Sequence, residues 1–161
     1  MDAGRLRVAA RPARRAGFTL IEVALVMALV GVLATVAISG FRGYQERAQL
    51  AQVIVDLRSI SSELDAHEVA HGALPVTLAE VDPSLAAMRD AWGNAYVYTP
   101  VAGALKGLLR KDKFLVPINS DYDLYSAGPD GMTMPPLTAA ASRDDVIRAS
   151  NGSYYGVAKQ Y

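Results

Sequence analysis

The 161-residue chain contains no cysteine, which excludes disulfide frameworks, thiolate zinc sites and cysteine nucleophiles. It also has no net charge, because 16 basic side chains balance 16 acidic ones, so the total gives no indication of nucleic-acid binding. Glycine-rich phosphate loops and the nucleophile elbow of serine hydrolases are missing as well. A charged fraction of 20% with 52% hydrophobic residues excludes a wholly disordered chain.

The zero net charge is a cancellation between two unlike regions. Residues 1–17 carry one aspartate against five arginines, a net charge of +4. The other 144 residues then hold 11 basic and 15 acidic side chains, a net charge of −4. A basic leader therefore precedes an acidic body. The five arginines of the leader are Arg5, Arg7, Arg11, Arg14 and Arg15.

An apolar run follows the leader directly. Residues 18–38 contain one charged side chain, Glu22, and as a helix they span roughly 32 Å, about the thickness of a bilayer's hydrocarbon core. The arginines before the run predict a cytoplasmic N-terminus and an exported remainder. A cleaved signal peptide, with small residues over 34–40, and a plain uncleaved anchor both stay open for this run. Neither explains a carboxylate inside it, which normally needs a partner.

Residues 17–22 read Gly-Phe-Thr-Leu-Ile-Glu and resemble the processing motif of type IV pilins and pseudopilins. The resemblance implies that a membrane enzyme, the prepilin peptidase, cuts after Gly17 and methylates the new N-terminus at Phe18. It also implies a role in assembly for Glu22. The ammonium of Phe18 in one subunit would neutralise the Glu22 carboxylate of its neighbour and so set the register between subunits.

Beyond the apolar run, apolar residues recur at helical spacing. Gly72 followed by Pro75 predicts where this helix ends, so residues 18–70 form one nearly continuous helix of roughly 80 Å. Gly40 and Gly43 are places for a bend. No small domain can bury such a helix along its whole length, so its first half must lie in a membrane or against copies of itself. The amphipathic stripe consists of Leu50, Ile54, Leu57, Ile60 or Ser61, and Leu64.

The sequence 67–71 is a literal H-E-x-x-H motif. On a helix, His67 and His71 share a face and could bind zinc, with Glu68 activating a water molecule. A third ligand would have to be a carboxylate, with Glu80, Asp82 and Asp90 as the candidates. The extended motif with a further downstream histidine is missing. A histidine at a helix C-terminus also has a simple explanation in the helix dipole.

The predicted fold is α+β, with a small antiparallel sheet packed on the second half of the helix. Strand composition marks residues 96–99, 113–118 and 122–126, and a short helix precedes them. The domain organisation is therefore a leader that is removed, a transmembrane or filament-core helix, an amphipathic continuation of that helix, and a globular domain. The ranges are 1–17, 18–38, 39–71 and 72–161.

Two segments of the globular domain extend the resemblance. Residues 90–96, Asp-Ala-Trp-Gly-Asn-Ala-Tyr, and 123–131, Asp-Leu-Tyr-Ser-Ala-Gly-Pro-Asp-Gly, resemble runs in the major pseudopilins of type II secretion systems. Alanine stands at positions 91 and 95 where the family has proline, and residues 102–113 match poorly. The chain is thus similar to a divergent or specialised member of that family, including a minor one.

The resemblance further implies a calcium site with Asp130, Asp144 and Asp145 as carboxylate ligands. Backbone carbonyls of Ala127 and Arg148 would complete it, and such oxygen ligands suit Ca²⁺. A metal that closes a long loop also suits an exported domain without disulfides. The interval from Asp130 to Asp144 is longer than the family pattern. The alternative is that these aspartates are solvated turn residues, with Asp144 capping a short helix.

Together with the resemblance, the sequence predicts a structural subunit and not an enzyme. It would be a single-pass protein of the bacterial inner membrane with its C-terminal domain in the periplasm. Copies of it, with other pseudopilins and inner-membrane assembly components, would form the periplasmic filament of type II protein secretion. A type IV pilus subunit is the close alternative, and the zinc protease is the distant one. No nucleic-acid partner is expected, because the basic residues after the leader do not cluster.

Overall fold

The computed structural model describes residues 17–161, apart from the side chains of residues 37–40. All of the predicted leader except Gly17 lies outside the described residues. The chain divides into two units, one up to Arg42 and one over Gly43–Tyr161. Helix α1, Leu20–His71, contributes to both units. Its 52 residues confirm the long helix predicted from the sequence.

In the first unit every described side chain from residue 17 to residue 36 is exposed. An 18-residue stretch of α1 has a mean hydropathy of 2.5, none of it is buried, and it is long and apolar enough to cross a membrane. Large apolar side chains such as Leu20, at 88% exposed, and Ile21, at 77%, are left largely uncovered by the described residues. The apolar surface of this segment is therefore available to lipid or to other protein molecules.

In the second unit α1 presents a fully buried stripe to the domain. Its members are separated by four, three and four residues, which places them on one face of the helix. Val53 belongs to this stripe where the sequence predicted Ile54, which is only partly buried. The four side chains at 0% exposure are Val53, Leu57, Ile60 and Leu64.

A four-stranded antiparallel sheet packs against that stripe. The strands are β1 (Val97–Pro100), β2 (Tyr122–Ser126), β3 (Val146–Ala149) and β4 (Tyr154–Val157), and they lie in the sheet in that order. Each strand pairs with the next, so the sheet is a meander. Two short helices, α2 (Leu78–Val81) and α3 (Pro83–Ala87), connect α1 to the sheet.

The sheet carries one apolar cluster on each face. The residues of β3 alternate between the two clusters, as expected for a strand that is buried on both sides: Val146 joins the cluster on α1, and Ile147 joins the second one. The buried sheet residues on the α1 side are Tyr122, Leu124 and Val146, and they are joined by Tyr96, which directly precedes β1. The second cluster consists of Ile118, Leu137, Ile147, Ala149 and Ala158.

The strand predictions were confirmed at two places and wrong at a third. Strands β1 and β2 lie where aromatic and β-branched residues predicted them. Residues 113–118 form a turn instead, because the backbone N–H groups of Phe114 and Val116 both donate to Asp112 Oδ1, at 2.8 and 2.9 Å. Leu115 in that turn has a φ of 62°, which no strand residue adopts. Strands β3 and β4 were not predicted.

Candidate functional site

The N-terminal motif forms the first turn of α1. Thr19 immediately precedes the helix, and its Oγ1 accepts a hydrogen bond from the backbone N–H of Glu22 at 3.3 Å. In return the Thr19 N–H donates to Glu22 Oε2 at 3.4 Å. This reciprocal pair is a capping box, which satisfies donors that a helix start otherwise leaves unpaired. The T-x-x-E spacing in the sequence could have revealed it, but sequence reasoning assigned Glu22 to assembly alone.

The capping role does not remove the cost of a charged Glu22 in an apolar environment. Within the described residues the Glu22 carboxylate accepts from two neutral donors of Thr19, the backbone N–H and Oγ1 at 3.5 Å, and neither donor compensates its negative charge. Phe18, whose amine the predicted cleavage would create, is 85% exposed. The described part of the first unit thus presents an exposed acid close to an exposed predicted N-terminus, at one end of an exposed apolar helix.

The H-E-x-x-H motif lies at the last turn of α1, where the sequence placed it. The rings of His67 and His71 stack with their centroids 4.1 Å apart. His71 Nδ1 lies 3.0 Å from the backbone carbonyl oxygen of His67. This histidine therefore interacts with the end of its own helix, as the simple explanation of the motif expects.

The three candidate third ligands of a zinc site all serve local turns instead. Glu80 Oε2 accepts from the N–H of Val76 at 2.7 Å, and Asp82 Oδ1 accepts from the N–H of Ser84 at 2.7 Å. Asp90 is buried in a turn of its own. Within residues 17–161, no three histidine or acidic side chains lie close enough together to hold a metal ion. The geometry gives the zinc-protease alternative no support.

The two segments that carry the family resemblance in the domain contact each other. Asp90 Oδ1 accepts from the N–H groups of Trp92 and Asn94, at 3.0 and 2.8 Å, which closes the turn over 90–94. Asp90 Oδ2 accepts from Ser126 Oγ at 2.5 Å, and Asn94 Nδ2 donates to the carbonyl of Gly128 at 2.8 Å. The first run therefore holds the end of β2, where the predicted calcium loop begins.

The loop between β2 and β3, residues 127–145, brings Asp130 and Asp144 together. The backbone N–H of Asp130 donates to Asp144 Oδ2, although the distance of 3.4 Å makes this bond weak. Gly128 permits the approach: its φ is 69°, and a Cβ added there would lie 2.5 Å from the carbonyl oxygen of Asp144. Asp130 Oδ1 accepts from the N–H of Met132 at 2.8 Å, so this aspartate also acts as a turn residue.

The third predicted carboxylate, Asp145, is engaged elsewhere. It is fully buried and forms an ion pair with Arg110, whose Nη2 donates to Asp145 Oδ2. The same oxygen accepts from Thr133 Oγ1 at 2.7 Å. Burial raises the pKa of the Asp145 carboxyl, and the Thr133 hydrogen bond and the Arg110 charge oppose that rise. Sequence reasoning missed Arg110, because it lies 35 residues from its partner in the segment that matches the family poorly.

The two predicted backbone ligands lie in or next to the buried strands on either side of the loop. Ala127 follows β2 and is 7% exposed. Arg148 is in β3, and its carbonyl accepts from Asn119 Nδ2 at 3.1 Å. The Arg148 guanidinium binds the Asp121 carboxylate through two hydrogen bonds, at 2.9 and 2.6 Å. The described residues thus place two of the three predicted carboxylates together and commit the third to an arginine, an arrangement that does not fit a three-carboxylate calcium site. Calcium binding itself stays a prediction.

Comparison with known proteins supports the N-terminal motif and finds relatives that match most of the chain. Residues 12–38 match the family described as the prokaryotic N-terminal methylation motif. The chain is 29% identical over 137 residues to the type II secretion system core protein G of Klebsiella pneumoniae, covering 83% of this chain and 93% of that protein. The corresponding protein of Escherichia coli (strain K12) is also 29% identical over 137 residues, covering 73% of this chain and 84% of that protein.

A type IV pilin matches over a shorter part of the chain. The type IV major pilin protein PilE1 of Neisseria gonorrhoeae is 39% identical over 59 residues, which cover 37% of this chain and 36% of that protein. No solved structure gave a significant match.

Proposed function

Because this chain is a homologue of the major pseudopilins of type II secretion and carries their N-terminal methylation motif, we propose that it is the structural subunit of a periplasmic secretion filament. The chain would be cleaved after Gly17 and methylated at Phe18 by a prepilin peptidase. It would then leave the inner membrane and stack with copies of itself. Other pseudopilins and inner-membrane assembly components would be its partners.

The observation that carries this proposal is the exposed apolar surface of α1 in the first unit. A water-soluble chain rarely exposes a large contiguous apolar patch, and such a patch marks contact with a membrane or with protein. A subunit that moves from membrane to filament needs both contacts in turn. Lipid covers the apolar surface before assembly, and the helices of neighbouring subunits cover it afterwards.

Glu22 would give these helix contacts their register. Apolar surfaces alone tolerate sliding, whereas a carboxylate in a low-dielectric environment requires one particular cation. Cleavage at Gly17 creates that cation as the amine of Phe18. Because Glu22 lies four residues after Phe18, the pair between neighbours would also set the axial displacement of one subunit against the next.

The proposal places the second unit, Gly43–Tyr161, in the periplasm, because the arginines of the leader favour the cytoplasm. It gives the protein no turnover chemistry, which agrees with the local roles of Glu80, Asp82 and Asp90. The similarity to type II secretion proteins extends over most of the chain, whereas the pilin match covers 37% of it. The secretion filament is therefore favoured over a surface pilus.

The test compares Glu22→Gln with the native chain in a bacterium that supplies a complete type II secretion apparatus. The expected result is a loss of at least about tenfold in filaments recovered from the periplasm after the outer membrane is removed, because every subunit contact loses its charge pair. Mass spectrometry of the membrane fraction should still find the N-terminus at a methylated Phe18.

The matched control is Glu46→Gln, which removes an exposed acid from the same helix outside the apolar run. It should assemble like the native chain. Native-level filaments with Glu22→Gln would contradict the role of Glu22. A native protein that keeps residues 1–17, or that never forms filaments, would contradict the proposed function as a whole.

A further inference from the structure

Arg110 is an unusual residue to find at the centre of a small domain. Its side chain is 2% exposed, although it lies in the exposed connection between β1 and β2. Three groups accept hydrogen bonds from its guanidinium. Nη1 donates to Thr133 Oγ1 at 2.5 Å and to the Met134 carbonyl at 2.6 Å, and Nη2 donates to Asp145. Its Cζ also lies 4.4 Å from the centre of the Tyr125 ring, within reach of a cation–π contact.

The backbone of Arg110 is held as firmly as its side chain. Its N–H donates to the buried carboxylate of Asp123 at 2.6 Å, and its carbonyl accepts from the N–H of Ile118 at 3.1 Å. Asp123 is in β2 and also accepts from Asn119 Nδ2 at 3.0 Å. The sheet thus positions Arg110 independently of the loop that its guanidinium contacts.

The loop 127–145 closes around this guanidinium. Thr133 and Met134 come from its middle, and Asp145 comes from its end at the start of β3. Ser142 adds a local bond, because its Oγ lies 2.8 Å from the N–H and 2.7 Å from the carbonyl oxygen of Met134. One cation therefore joins the middle of the loop to its end, which is the task that a loop-closing metal ion performs.

We propose that Arg110 is the internal cation of the aspartate loop, so that the domain closes this loop through a guanidinium and not through a bound calcium ion. The Oδ2 atom of Asp145 already accepts two hydrogen bonds, one of them from a positive group. A calcium ion at that oxygen would have to displace the guanidinium or lie beside a like charge. Asp130 and Asp144 alone supply too few carboxylates for a tight calcium site.

The ion pair between Arg110 and Asp145 leaves two buried polar atoms without a hydrogen bond in the described part of the chain. Among the described residues, Arg110 Nε and Asp145 Oδ1 are buried without a partner. A buried ion pair of this kind is costly to break from one side, because the remaining charge is left uncompensated. Replacing both partners with apolar residues of similar size avoids that cost. If calcium closed the loop, the double variant would be no more stable than Asp145→Leu alone, because losing Asp145 would remove a metal ligand whatever stands at position 110.

The experiment measures the thermal midpoint of the full chain in detergent micelles, followed by the fluorescence of Trp92, the single tryptophan of the chain. The native protein should keep the same midpoint within about 1 °C in millimolar calcium chloride and in excess EDTA. Arg110→Met and Asp145→Leu should each lower it by about 10 °C or more, and the double variant should regain at least half of that loss. Arg143→Met, which changes an exposed arginine of the same loop, is the control and should leave the midpoint unchanged.

Two results would overturn the proposal. One is a native midpoint that rises by several degrees with calcium and falls with EDTA. The other is a double variant that is no more stable than either single variant. If Arg110→Met alone is too unstable to purify, recovery of a folded double variant supports the proposal in the same way. The measurement involves no filament, so its outcome is independent of the assembly test on Glu22.

Discussion

The two parts of helix α1 differ in how far their apolar side chains are buried. From residue 20 to residue 36 every side chain is exposed in the single chain. From residue 53 to residue 64 a regular stripe is fully buried against the sheet. Both parts are helical and rich in apolar residues, so helix formation does not distinguish them. The distribution of polar residues around the helix does.

Because of this difference, the apolar surfaces of the two parts stabilise different states of the protein. The stripe from Val53 to Leu64 is covered by its own domain, so its apolar surface stabilises the folded monomer. The described residues leave the first part uncovered, so its apolar surface does not stabilise the domain and is available for a membrane-bound or assembled state. Substitutions in the two parts should therefore affect different measurements.

The largest effect is expected from Leu57→Ala. Leu57 is 0% exposed in the apolar cluster between α1 and the sheet. Truncating a buried leucine costs about 3 to 5 kcal/mol through lost transfer energy and the cavity left behind. Chemical denaturation of the full chain in detergent, followed by Trp92 fluorescence, should show this loss in the free energy of unfolding.

The matched variant is Leu25→Ala, which makes the same chemical change at a side chain that is 71% exposed. It should leave the unfolding of the domain within about 0.5 kcal/mol of the native value, while it weakens membrane retention or assembly. A comparable loss in both variants would show that the two parts of α1 are not independent.

The features that the sequence predicted are those with local signals. The helix follows from its periodicity and from Gly72, and β1 and β2 follow from aromatic and β-branched composition. The N-terminal motif is contiguous and needs no structure to be recognised. A prediction within one segment needs only the chemistry of neighbouring residues.

The features that were missed depend on partners distant in the sequence. Strand β3 contains Arg148, a charge that argues against a buried strand until Asp121 is brought beside it by the fold. Strand β4 contains Gly156 and follows a turn, which weakens its strand pattern. The Asp145–Arg110 pair joins two segments between which no sequence signal exists. The calcium prediction came from the family resemblance and could not anticipate that Arg110 binds Asp145.

An intermediate effect is expected from Tyr98→Phe and from alkaline pH. Tyr98 Oη donates to the carbonyl of Pro75 at 2.8 Å. Burial, followed by the charge of Glu80, raises the pKa of Tyr98 to about 12 from an ordinary value of 10.0. A phenol whose pKa is higher in the folded state stabilises that state fully below pH 10, and the contribution is lost as the pH rises toward 12.

Denaturation of both proteins at pH 9 and at pH 11.5 measures this contribution. At pH 9 the native chain should be more stable than Tyr98→Phe by about 1 kcal/mol, the usual value of one hydrogen bond. At pH 11.5 the difference should shrink or reverse. Tyr44→Phe, which changes a side chain that is 71% exposed, should match the native chain at pH 9. A difference between the native chain and Tyr98→Phe that grows with pH would contradict the assignment.

Two glycines that lie near the ends of the domain's part of α1 should give effects no larger than that of Tyr98→Phe, with no loss of stability expected at one of them. Gly72 follows the last helical residue with a φ of 77°, and its N–H donates to the Glu68 carbonyl at 2.7 Å. Alanine there has space for its Cβ but is strained in this left-handed conformation, so Gly72→Ala should cost about 1 kcal/mol. Gly43 is helical, also with space around it, so Gly43→Ala should be neutral or stabilising by up to about 1 kcal/mol. Denaturation curves of the two variants test the comparison through the sign of the change. A loss of stability at both positions would contradict this expectation and would mean that α1 is under strain at Gly43.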